Sequence, residues 1–231
     1  MESLEQVIPE APQGPGAPPT LRAHVVQMLS AGILSGKYKP GDRLNESQIA
    51  RELNISRIPV REALSQLQEQ GLVQNRERRG MFVTNITSDE VLQISSLRLI
   101  LETEALRLAR ARMTPDILAE LEALVDQMEN WDGSLLDARG LDLQFHRTLW
   151  RASGNPYLER TLYGLVIPLF AHKTLEHVTH DARRWRMSHH RTLLDAIMGR
   201  SGDDLQAVLV THLRMSHTEP ERYSAAARKP S

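Results

Sequence analysis

Residues 36–83, GKYKPGDRLNESQIARELNISRIPVREALSQLQEQGLVQNRERRGMFV, decide the fold, because two short helix signatures, a corner and a basic hairpin follow one another within them. Asn45, with Gln48 three residues on, starts a helix in the manner of a capping box, and Ile49, Ala50 and Leu53 give it an inward face before Asn54 closes it. Ser56 caps the next helix. Its Pro59 falls in the first turn, where a missing N–H is tolerated; Val60, Ala63, Leu64 and Leu67 face inward, and Gly71 ends it. Leu72–Val73 and Met81–Phe82–Val83 are short β-prone runs flanking Asn75-Arg76-Glu77-Arg78-Arg79-Gly80, which predicts a hairpin with a basic tip. Upstream, Leu21, Val25, Met28, Leu29 and Ile33 recur at helical spacing and stop at Gly36 and Pro40–Gly41, so a first helix is expected over 21–34. Three helices followed by a basic hairpin make a winged helix-turn-helix.

On the third of these helices Arg57 and Arg61 are four residues apart and project from one face, opposite the apolar one. A guanidinium fork there can grip guanine O6 and N7 together, with about 1–3 kcal/mol of discrimination against a wrong base. The alternative is a surface pairing with Glu62 or Glu69. Arg43 ahead of the second helix, and Arg76, Arg78 and Arg79 in the hairpin, add cations where phosphate or minor-groove contact is the usual role. The charge is uneven in the same sense: residues 20–84 carry 10 Lys and Arg against 6 Asp and Glu, and residues 85–231 carry 18 against 20.

With its PG-x-R-L segment, its SR-x-PVREAL helix, the GLV entering the hairpin and the RRG wing, residues 36–83 resemble the reader head of the GntR family of transcription regulators. The resemblance implies a homodimeric regulator, a repressor in preference to an activator, that places two heads on a palindromic operator in double-stranded DNA. Arg43, Arg57 and Arg61 match the usual DNA contacts, and Ser56, Arg78 and Arg79 complete the expected interface. Many relatives have a basic residue where this chain has Ser47 and threonine where it has Ile58, so the base preference is not carried over.

Around that head the chain divides into four expected parts: a proline-rich disordered arm over 1–19, the reader head over 20–84, a helical ligand-binding, metal-binding and dimerisation domain over 85–218, and a flexible tail over 219–231. From Ile86 the period is helical, broken at Thr114–Pro115, Trp131–Gly133, Gly154-Asn155-Pro156 and 199–204, which predicts about six helices and no sheet. The expected fold class is mainly α. The chain has no cysteine, so any metal must be held by histidine, carboxylate or water. Without an export signal or a long apolar run, a cytoplasmic protein with no membrane association is expected.

Asp142 and His146, in LDLQFHRTLWRASGNP, lie four apart on one helix face, a spacing at which two side chains can share one ion. His190 lies nine residues before Gly199 and His212 ten after Gly202, so in an antiparallel helix pair both sit at about the same height, roughly 14 Å from the turn at 1.5 Å per residue. His189 competes with His190 for that place. The stretches D-LQ-FH with SGN, H-RTLLDAI and GDD-LQAV-LVTH-L resemble the ligand-binding domain of the FadR subgroup of the GntR family. Metal-containing members hold an ion with one aspartate and three histidines, which Asp142, His146, His190 and His212 match in order and type. The resemblance implies a divalent cofactor, zinc or nickel before manganese, with coordination positions left for a small carboxylic acid effector. Arg98, in LRLILE, matches a position that often lines the cavity; it is expected either to pair with the acid or to form a salt bridge with Glu102. His172, His177, His180 and His189 are given no chemistry, and Trp185 either lines the cavity or fills the core. Two other readings stand beside the sensor: a purely structural metal in a dimerisation module, and a metal-dependent hydrolase, which the missing H-E-x-x-H and the DNA head disfavour.

Overall fold

The structure is a computed structural model of the 231-residue chain and describes residues 20–133, 135–172 and 180–215. The expected arm over 1–19, the tail over 219–231, His177 and the side chains of His180 and Trp185 lie outside the described residues. The described chain forms two compact units, one containing 20–92, 135–140 and 163–172, the other 93–133, 141–162 and 180–215. No described helix is long and apolar enough to cross a membrane.

The first unit is built on α1 (Leu21–Leu34), α2 (Glu46–Glu52) and α3 (Arg57–Glu69), with β1 (Arg43–Leu44), β2 (Val73–Arg76) and β3 (Gly80–Val83). α1 packs on α3, joining Val25, Leu29 and Ile33 to Val60, Ala63, Leu64 and Leu67, all fully buried. Leu21, counted in the apolar stripe of α1, is instead exposed in the first turn. The Asn45 side chain accepts from the backbone N–H groups of Ser47 and Gln48, whereas Gln48 bonds forward to Glu52, so the cap is one-sided. Ser56 occupies the N-cap position of α3 without a side-chain cap bond. Gly71 has φ +79°, a conformation that L side chains rarely adopt, and a Cβ there would stand 3.0 Å from Pro168.

The sheet has three strands in the order β1-β3-β2, one more than the hairpin expected. Gly41, at φ +87°, turns the chain so that Arg43 pairs with Phe82 and Leu44 with Met81, antiparallel. Two residues are too short to show a strand period in sequence. The extra strand draws Arg43 to the wing: a Cβ on Gly80 would lie 3.8 Å from its guanidinium.

Six further helices follow among the described residues, as expected: α4 (Ser88–Ala111), α5 (Pro115–Glu129), α6 (Leu135–Ala152), α7 (Pro156–His172), α8 (His180–Met198) and α9 (Leu205–Met215). Apart from the end of α7 and the start of α8, where no break was read in the sequence, their ends fall at the anticipated breaks for local reasons. Thr114 caps α5 ahead of Pro115; Asn155 Oδ1 accepts from Tyr157 and Leu158 at the start of α7; Asp204 Oδ2 accepts from Ala207 at the start of α9. In the second unit α8 packs against α5 and α9, and Phe145, Leu149, Trp150, Leu193, Leu194 and Leu209 close the core. Arg191 grips Glu129 of α5 with Nε at 3.0 Å and Nη2 at 2.9 Å, a bidentate pair that fixes the rotation of α8 beside His190.

Candidate functional site

Two groups of side chains stand apart from the core. The first is basic and exposed: Arg43, Ser56, Arg57, Arg61, Arg78 and Arg79 all face solvent on the reader head. Arg57 and Arg61 leave α3 on the same side, and each reaches Glu46 Oε2 at 3.4 Å, not the Glu62 or Glu69 that sequence suggested. Such exposed pairs contribute about 0–1 kcal/mol and yield readily to a phosphate or base edge. Ile58, between them, is 66% exposed, an apolar side chain beside the two arginines. At the wing tip Arg78 has φ +60°, and Arg76 lies over the Phe82 ring at 4.5 Å from its centroid.

The second group is buried. α6 brings Asp142 and His146, α8 brings His190 and α9 brings His212, so side chains far apart in sequence meet in the second unit. The three imidazoles offer nitrogens within 4.8 Å of one another, and Asp142 stands at the edge of the cluster, touching two of them. His146 Nε2 is 3.0 Å from His212 Nε2, His190 Nε2 is 3.1 Å from Asp142 Oδ1, and His146 Nε2 is 3.4 Å from the same oxygen. His190, not His189, takes the inward position: it is buried, whereas His189 is partly exposed.

These distances suit a metal ion. Ligand bonds of about 2.0–2.1 Å set neighbouring donors about 3.0 Å apart in an octahedron and about 3.4 Å apart in a tetrahedron. The proton chemistry agrees. His190 Nδ1 donates to the Met187 carbonyl at 3.0 Å, so in the neutral ring Nε2 carries a lone pair. That lone pair faces a carboxylate oxygen, an opposition that a cation between them relieves. Burial, ahead of every other influence, holds the pKa of His146 below the ordinary value and that of His212 well below it, with the charges of His190 and His146 adding to the second shift. Neutral imidazoles are the ligating form.

Behind the cluster lies a residue that sequence reasoning treated only as a partner for Arg98. Glu102 is fully buried; one carboxylate oxygen receives Nε–H of Arg98 and the other, Oε2, faces His146 Nδ1 at 3.4 Å. Burial, the largest single influence, raises its pKa, but the Arg98 guanidinium beside it and the facing His146 ring together outweigh burial and bring the carboxyl to about 2. Arg98 is itself 2% exposed, so of its two expected partners the structure gives it Glu102. The signal was present in sequence: Arg98, Glu102, Ala105 and Ala109 form one buried stripe of α4, and two charges in such a stripe call for a reason.

Comparison with known proteins follows the same division. The family described as bacterial regulatory proteins, gntR family, matches residues 21–83, and the FCD domain matches residues 93–215. The Nta operon transcriptional regulator of Aminobacter aminovorans is 28% identical over 182 residues, covering 78% of this chain and 85% of that protein. The HTH-type transcriptional repressor RspR of Escherichia coli K12 is 28% identical over 194 residues, covering 82% and 84%. Among solved structures, E. coli McbR/YncC shares the fold with a TM-score of 0.70 at 22% identity, covering 90% of this chain and 98% of that one. The chain therefore belongs to the GntR family of bacterial regulatory proteins, as a DNA-binding transcription regulator whose winged helix-turn-helix precedes an FCD domain.

Proposed function

We propose that the protein is a homodimeric repressor whose operator affinity is set by a small organic acid, bound at a divalent metal ion that Asp142, His146, His190 and His212 hold. One observation carries this reading: four potential ligand groups from three helices meet in the second unit at the spacings of a coordination shell. When bound, the ion would act as a Lewis acid that anchors a carboxylate. Zinc and nickel suit a set of three imidazoles and one carboxylate, and the absence of cysteine leaves no softer donor to compete.

Access favours a sensor over a purely structural ion. Asp142 keeps a quarter of its side chain exposed, and a cavity of about 300 Å³ is lined by His212 with Thr192, Asp203, Asp204 and Thr211. The helix α6 carries residues of both units. α6 begins in the first unit, where Arg139 donates to the Leu34 carbonyl at the end of α1, and presents Asp142 three residues later. The family and its named relatives are regulators and not enzymes, so the hydrolase reading lapses. RspR of E. coli K12, to which the chain is similar, is a transcriptional repressor, and that supports repression here.

For the homodimer, Leu97 and Ile100 lie three apart on α4 and are 50% and 67% exposed, an apolar face suited to a second copy of the chain. Ile100→Asp is expected to convert the dimer to a monomer in sedimentation velocity at micromolar concentration; an unchanged dimer peak would place the interface elsewhere.

The sensor reading is tested by a thermal-shift screen of small carboxylic acids on zinc-loaded and chelator-treated protein. At least one acid is expected to raise the melting temperature of the zinc-loaded form only. Acids that stabilise both forms equally would separate the acid site from the metal, and a metal effect without any acid effect would leave the ion structural.

A further inference from the structure

We propose that Glu102, held by Arg98, is the positioning carboxylate of the metal centre: it receives Nδ1–H of His146 and so fixes the tautomer that turns Nε2 toward Asp142 and His212. The inference rests on the metal reading above and adds a residue pair to it.

Two buried polar atoms, His146 Nδ1 and Glu102 Oε2, have no hydrogen-bond partner, and they face each other at 3.4 Å. Each is the complement of the other. A neutral imidazole with its proton on Nδ1 has its lone pair on Nε2, the atom 3.0 Å from His212 and 3.4 Å from Asp142. The opposite tautomer would set two lone pairs against each other at Glu102 and turn an N–H into the cluster. A carboxylate behind a ligating imidazole also makes the ring a stronger donor. His190 solves the same problem differently, with Nδ1 on the Met187 carbonyl, so the second contact of both rings directs Nε2 inward.

Stability alone gives no reason for the pair. Withdrawing two charges from water costs several kcal/mol per ion, and apolar residues of similar volume are often as stable or more so. Ala105, Leu106 and Ala109, on the same stripe of α4, show that the packing there accepts apolar side chains. Arg98, itself 2% exposed, pairs with the other oxygen of Glu102, so the carboxylate presents Oε2 to His146 as an acceptor. Arg98 thereby acts on the centre through Glu102.

The test uses full-length protein and zinc in competition with a chromophoric chelator. Glu102→Gln is expected to weaken zinc binding about 10- to 100-fold, the usual effect of removing an outer-shell partner. Because that variant leaves the Arg98 charge unpaired, Arg98→Met/Glu102→Gln, which removes both charges, is measured beside it with the same expectation. A folded variant that binds zinc within twofold of wild type would overturn the proposal, as would a lower melting temperature of the metal-free form with unchanged zinc affinity. Nitrogen-15 NMR of the zinc-loaded wild type needs no substitution: Nδ1 of His146 is expected to carry the proton and Nε2 the metal, and the reverse assignment would overturn the relay. Wild-type protein that takes up no zinc would overturn the metal reading itself, whereas tight zinc binding by both wild type and variants would overturn only the role of Glu102.

Discussion

Arg57→Ala and Arg61→Ala are each expected to abolish operator-specific binding while helical content and melting temperature stay at wild-type values. Both side chains are more than half exposed, and the partner the structure gives them, Glu46, lies at 3.4 Å on the surface. Their loss should change stability by no more than about 0.5 kcal/mol. A bidentate contact to guanine provides about 1–3 kcal/mol of discrimination, and the two heads of the proposed dimer double it, so each variant should lose roughly 30- to 20,000-fold in specific affinity. Fluorescence anisotropy at fixed salt, on a duplex selected from genomic fragments by the wild-type protein, measures this directly. Arg78→Ala and Arg79→Ala, at the wing tip, are expected to weaken specific and nonspecific duplexes alike and to reduce the salt dependence. Wild-type affinity in both the Arg57 and Arg61 variants would remove α3 from the role of reader.

The second large effect is expected in the buried cluster. His190→Ala should reduce bound zinc from about one ion per chain to near none by mass spectrometry. His189→Ala, one residue away but outside the cluster, should retain it. His190 has contacts on both ring nitrogens and packs edge-on against Phe145 at 5.0 Å, so its ring is held in one orientation within the cluster. Zinc at a hundred times its Kd stabilises the folded state by about 2.7 kcal/mol, equivalent to about 5–10 °C for a chain of this size. That zinc-dependent shift should vanish in His190→Ala. Full zinc content in His190→Ala would show that the ion is held elsewhere.

Much of this architecture was legible because its signals are local. Asn45, Thr114, Asn155 and Asp204 cap helices with their own side chains, and Gly36, Gly71, Gly154 and Gly199 take positive φ near helix ends, so boundaries could be read from neighbouring residues. β1 was not legible, since a two-residue strand is fixed by its bonds to β3 and not by any pattern of its own. Leu21 shows the converse, an apolar residue in register with the buried face of α1 that is nonetheless exposed in the first turn. At the histidine cluster the i, i+4 pair on α6 was visible directly, whereas spacing left His189 beside His190; the family resemblance chose His190, and its buried position agrees. Glu102 was overlooked because an Arg and a Glu four apart on a helix ordinarily pair in solvent. Their place in the stripe with Ala105 and Ala109 identifies them as interior.

The central claim, that an acid at the metal controls DNA binding, is tested most directly by titrating the operator duplex with zinc-loaded protein, with and without the acid that stabilises it. The account predicts a change in operator affinity of about 5- to 150-fold, the range of ordinary allosteric coupling, and no change in chelator-treated protein or in His190→Ala. Equal operator affinity with the acid bound and absent would contradict it.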